Sequence, residues 1–110
     1  YSYQKMLSML EPLTKVEIIQ QMQIAYDYFI AENRDVDFSF PVLILAGEKD
    51  STGKVKAYCK EWAKQTGYPL HFIKHAKHFS NGDNLEQANA EIDSFIAETV
   101  CQERKKYAVL

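Results

Sequence analysis

The sequence predicts an α/β fold: a βαβ unit with parallel strands, preceded by two helices. Three observations predict it. Phe40 to Asp50 reads FPVLILAGEKD, an unbroken apolar run (Val42 to Ala46) between Pro41 and Gly47, which is the pattern of a strand buried on both faces. Lys54 to Thr66 places Val55, Tyr58, Cys59, Trp62 and Ala63 on one helical face. Leu70 to His75, LHFIKH, reads as a second strand, with Leu70 and Phe72 on one face and His71, Ile73 and His75 on the other. A strand–helix–strand crossover is right-handed by strong default and leaves its strands as parallel neighbours.

Each element has its own local cause. Tyr3, Met6, Leu7 and Leu10 recur at helical spacing, and Pro12 ends that helix. Thr14 and Glu17 form the T-x-x-E of a capping box that starts a second helix. Its stripe of Ile18, Ile19, Met22, Ala25, Tyr26, Phe29 and Ile30 is expected to pack, or to serve as a lid over an apolar pocket. Asn33 to Ser39 is a polar linker, so residues 1–34 read as a helical segment and 35–110 as the strand-bearing part. Gly67 is placed to cap the third helix in the left-handed region, and Pro69 holds Tyr68 extended. Ala76 to Asn84 reads as a loop. Leu85, Ala88, Ile92, Phe95, Ile96 and Val100 then mark a final helix, capped by Asp83 with Glu86 or by Asn84 with Gln87, and Gln102 to Leu110 is its fraying end.

Composition narrows the function classes. A chain of 110 residues is at most one domain, and 46% hydrophobic with 13% aromatic residues is the composition of a folded protein. Thirteen basic against fifteen acidic residues give a net charge of −2, which argues against a nucleic-acid partner. The basic run at Arg104 to Lys106 suits a helix C-terminus. Cys59 and Cys101 lie far apart in helical patterns and read as reduced thiols, hence the expectation of a cytosolic protein. No apolar stretch approaches the roughly 20 residues that span a bilayer, and no signal peptide or membrane partner is expected. The chain begins at Tyr1 rather than Met, consistent with a piece cut from a longer polypeptide.

Parallel neighbouring strands put their C-terminal ends at one edge, where ligands of open α/β sheets sit. Asp50 lies just past the first strand and His78 just past the second. A carboxylate that fixes the tautomer of an imidazole, and stabilises the imidazolium, makes the base half of a nucleophilic relay.

From the first strand onward the order of motifs resembles the C-terminal end of an α/β-hydrolase. Gly47-Glu48-Lys49-Asp50 is similar to the family's strand–Gly–x–x–Asp turn, and Ala76-Lys77-His78-Phe79 to its histidine loop. Asp83-Asn84 and Ser94-Phe95-Ile96 are similar to the family's polar loop and closing helix. The resemblance covers roughly residues 38–97. It implies that Asp50 and His78 are the acid and base of a triad, that the strands belong to the end of an α/β-hydrolase sheet, and that residues 1–34 end a cap. The family's nucleophile motif, G-x-S-x-G, is absent from these residues: Gly47, Gly53, Gly67 and Gly82 flank no serine at that spacing.

Plainer readings compete. Asp50 can cap the helix near Lys54; Glu48 is the rival acid and His75 the rival base. His75 and His78 with Asp50 or Asp83 are weak metal ligands, because no third ligand is obvious. Ser51 and Ser80 do not sit on a strand–helix elbow, and Cys59 is expected in the core. Two function classes remain. The first is the acid-and-base part of an esterase-like hydrolase that acts on a small molecule and needs no cofactor. The second is a non-catalytic relative that acts by association. An open strand edge predicts self-association of the isolated chain.

Overall fold

The computed structural model describes residues 2–32, 34 and 36–107, with the backbone alone for residues 2, 106 and 107. Tyr1, residues 33 and 35 of the expected linker, and residues 108–110 of the expected tail lie outside that description. The chain divides into two units, the first running through Phe38 and the second starting at Ser39.

The first unit holds two helices, α1 (Ser2–Leu10) and α2 (Lys15–Glu32). The capping box forms as the sequence requires. The Thr14 amide donates to Glu17 Oε2 at 2.7 Å, and the Glu17 amide donates to Thr14 Oγ1 at 3.3 Å. The packing expected of the α2 stripe does not form. Ile19, Met22, Tyr26, Phe29 and Ile30 are exposed, as are Val16, Ile24 and Tyr28. Apolar side chains ring the whole helix, and none of its residues is buried. No helix among the described residues is long and apolar enough to cross a membrane.

The second unit runs β1 (Ile44–Gly47), α3 (Val55–Thr66), β2 (Leu70–Ile73), α4 (Ser80–Asp83) and α5 (Leu85–Tyr107). β1 and β2 are parallel, with Ile44 opposite Leu70 and Gly47 opposite Ile73. This corrects the expected fold class. Among the described residues the structure is 62% helical, with five helices, and its two strands of four residues each do not make an α/β-hydrolase sheet. Both strands are shorter than their apolar patterns. Val42 and Leu43 lie outside β1, and β2 stops before His75, which takes a left-handed φ of 60°. The expected loop from Ala76 to Asn84 contains the helical turn α4.

Ile44, Ala46, Ile73, Ala76 and Ala88 are buried, and Leu45 packs against the cluster of Ile73, Ala76 and Ala88. Gly67 caps α3 in the left-handed region (φ 76°), and its amide donates to the Ala63 carbonyl. Trp62, expected in the core, is 39% exposed and meets Tyr68 edge-on with ring centroids 5.8 Å apart. α3 faces only two short strands, which leaves the far side of so large a ring uncovered. At the start of α5 the cap is Asn84 with Gln87: Asn84 Oδ1 accepts the Gln87 amide at 3.2 Å. Gln87 in turn accepts the Lys74 amide at 2.7 Å and donates to the Phe72 carbonyl at 3.3 Å, so it stitches α5 to the end of β2.

Gly47 is the tightest point of the unit. A Cβ there would run into the Lys77 carbonyl and come within 2.6 Å of the Ala76 carbonyl oxygen. Both obstacles are backbone and cannot swing aside, so only glycine lets the two loops cross. Gly47→Ala should cost at least about 3 kcal/mol in urea unfolding, the upper range for overpacking. Gly53→Ala, at φ 50° with open space around it, should cost only the left-handed penalty of about 1–2 kcal/mol. Equal stability of Gly47→Ala and the parent would mean that the loops do not cross in this way.

Candidate functional site

The parallel pairing brings the loops after β1 and β2 to one edge. Two backbone bonds tie them together: the Glu48 amide donates to the Ile73 carbonyl at 3.0 Å, and the Lys49 amide to the Ala76 carbonyl at 2.8 Å. Asp50 closes a turn through its amide, which donates to the Gly47 carbonyl at 3.1 Å. Its side chain is thereby directed into the unit, and the residue is only 4% exposed.

The two residues expected to act together do meet. His78 Nδ1 lies 2.9 Å from Asp50 Oδ2. The other carboxylate oxygen, Oδ1, accepts the Thr52 amide at 2.8 Å. Asp50 does not cap α3, whose N-cap is Lys54 with no side-chain cap bond: one carboxylate oxygen closes the turn at Thr52, and the other faces the imidazole. Burial pushes the Asp50 carboxyl up. The His78 hydrogen bond and the Thr52 amide and side chain outweigh it, and the group titrates below its ordinary value of 3.8. At neutral pH it is an ionised acceptor, so Nδ1 of His78 must carry the proton. In the neutral imidazole Nε2 then bears the lone pair. The His78 side chain is 63% exposed, and Nε2 has no hydrogen-bond partner among the described residues. A buried carboxylate, an oriented imidazole and an open basic nitrogen can accept a proton from a nucleophile or a water.

The rivals are placed elsewhere. Glu48 Oε2 accepts the His75 amide at 2.9 Å, and that bond is the main reason its carboxyl is held below the ordinary range. His71 Nδ1 pairs with Glu91 on α5. Asp83 Oδ2, expected at a helix cap, accepts the Lys77 amide at 2.8 Å. Ser51 is exposed next to the acid, and Ser80 opens α4. No hydrogen bond joins either to His78 among the described residues. Cys59 and Cys101 are free thiols, and burial followed by the Asp50 charge pushes the Cys59 thiol up, which disfavours a nucleophilic thiolate. No group of three or more His, Cys, Asp or Glu among the described residues could hold a metal ion.

Sequence reading named Gly47, Gln87, Glu48 and Asp83 but missed what they do here: the close approach at Gly47 and the main-chain bonds of the other three. A glycine closing a buried apolar run is a signal for close backbone approach. The bonds of Gln87, Glu48 and Asp83 to main-chain amides leave no trace in periodicity. No family model matches the chain, and no curated protein or solved structure matches it either.

The lowered Asp50 titration fixes a pH dependence. A carboxyl depressed by folding contributes stability above its unfolded value and loses it as pH falls through the folded value. Below pH 3.8 the urea midpoint of the parent chain should therefore fall more steeply than that of Asp50→Asn. Parallel acid limbs for the two proteins would mean that Asp50 is no more favourably charged in the fold than in the unfolded chain.

Proposed function

We propose that this chain carries the acid and base of a nucleophile–His78–Asp50 relay that hydrolyses an ester or a related bond in a small molecule. The observation that carries the reading is the 2.9 Å contact from His78 Nδ1 to the buried Asp50, with the imidazole open on its other side. The motif order that resembles the C-terminal end of an α/β-hydrolase supports it. The nucleophile and the oxyanion donors are then supplied by residues outside these 110, and the chain alone is inactive. A cytosolic location fits the two free thiols.

In the full polypeptide that contains this stretch, His78→Ala should lower hydrolysis of a short acyl ester by about 10²–10⁴-fold, the cost of losing a general base. A loss smaller than tenfold removes His78 from the mechanism.

A second reading has its own observation. Ile92, Ile96 and Val100 form an exposed stripe along α5, and each strand of the two-stranded sheet has one edge unpaired among the described residues. On this reading the isolated chain acts by association. Sedimentation over a concentration series should then give a mass above the 12.7 kDa of one chain. A compact monomer at every concentration removes this alternative.

A further inference from the structure

We propose that Glu48 and Asp83 are positioning residues for His78: they clamp the backbone of the histidine loop from both sides, Glu48 through the His75 amide and Asp83 through the Lys77 amide. The inference rests on the relay reading for its consequence in catalysis, but not for its geometry.

Three consecutive amides lead into His78, and each is taken. The His75 amide goes to Glu48 Oε2 at 2.9 Å, the Ala76 amide to the Ile73 carbonyl at 3.3 Å, and the Lys77 amide to Asp83 Oδ2 at 2.8 Å. The first and third acceptors are carboxylates, which make stronger bonds to backbone N–H than neutral oxygens do. They also come from opposite directions along the chain. Glu48 belongs to the turn that carries Asp50, whereas Asp83 belongs to the short helix beyond His78.

His75 gives the clamp its purpose. Its φ of 60° is a conformation that a non-glycine residue holds only where the surroundings over-determine it. Glu48 holds the amide of that same residue. Release of that amide lets the chain relax toward ordinary φ, and every later atom moves with it. His78 lies three residues on, with an exposed side chain whose one hydrogen bond among the described residues is to Asp50. The position of its ring against Asp50 is therefore set by the backbone, and the backbone by the two carboxylates. Neither carboxylate has to reach the imidazole to do this.

The test uses Glu48→Ala and Asp83→Ala in the full polypeptide, with Glu48→Gln and Asp83→Asn as conservative partners that keep an acceptor oxygen. Two readouts are taken: ¹⁵N-detected ring signals, which report the Nδ1–H tautomer of His78, and ester hydrolysis resolved into kcat and KM. Each alanine variant should lose the single Nδ1–H tautomer. Each should also lower kcat by about 10–100-fold, as expected of misplacement near 1 Å, with KM unchanged. Glu48→Gln and Asp83→Asn should restore both. Both alanine variants keeping the tautomer, and kcat within twofold, would overturn the clamp. Loss of the tautomer in a polypeptide whose hydrolysis does not depend on His78 would uphold the clamp and overturn the relay.

Discussion

The second unit depends on one crossing. The chain leaving β1 passes over the chain leaving β2 at Gly47, close enough that a methyl group would strike two carbonyl oxygens. The crossing is held by the Lys49 amide on the Ala76 carbonyl. Ala76 is itself fully buried, so the bond is shielded from water and the two loops behave as one. Asp50 lies three residues beyond the crossing on one chain, and His78 two residues beyond Ala76 on the other. Their meeting is therefore a result of main-chain geometry before it is a result of side-chain attraction.

That order of causes explains how so small a sheet can hold a defined site. Four residue pairs of parallel strand are too few to be stable alone. The unit adds side-chain bonds to main chain where the ladder stops at the C-terminal ends of the strands. Gln87 takes over at the end of β2, Glu48 and Asp83 hold the bend after it, and the Lys56 ammonium donates to the Glu48 carbonyl at 3.0 Å. α5 is anchored at the same end through Ala88, which is completely buried. The far part of α5 leaves Ile92, Ile96 and Val100 in solvent. Order is concentrated at the edge where the acid and the imidazole face each other.

How much was legible in the sequence depends on the range of each force. Local signals were readable: the Thr14–Glu17 box, the left-handed Gly67 and the helical stripe of α5 all arise within a few residues. The juxtaposition of Asp50 and His78, 28 positions apart, was readable too, because a parallel crossover leaves little freedom in where strand ends go. The fold class was not. A continuous apolar run predicts a strand buried on both faces, but burial requires neighbours, and β1 has one strand beside it among the described residues. The same limit misplaced Trp62 and the α2 stripe, whose apolar character promises packing without naming a partner. Glu48 and Asp83 were misread for a different reason. Both looked like candidates for side-chain chemistry or capping, and both bind main-chain amides that no pattern of residue types encodes.

The commitment of both Asp50 oxygens has a consequence for what residue 50 can be. One oxygen receives a backbone N–H from Thr52, and the other receives a ring N–H from His78. The position thus demands two acceptors on one planar group. An amide of the same shape offers one acceptor and one donor, and either orientation goes wrong. Turned one way, it sets an NH₂ against the Thr52 amide and opens the turn into α3. Turned the other way, it sets that NH₂ against Nδ1, which drives the imidazole proton to Nε2 and leaves the exposed nitrogen without its lone pair. Exchanging one oxygen for an NH₂ would thus force a choice between the turn and the base, because one side chain serves both.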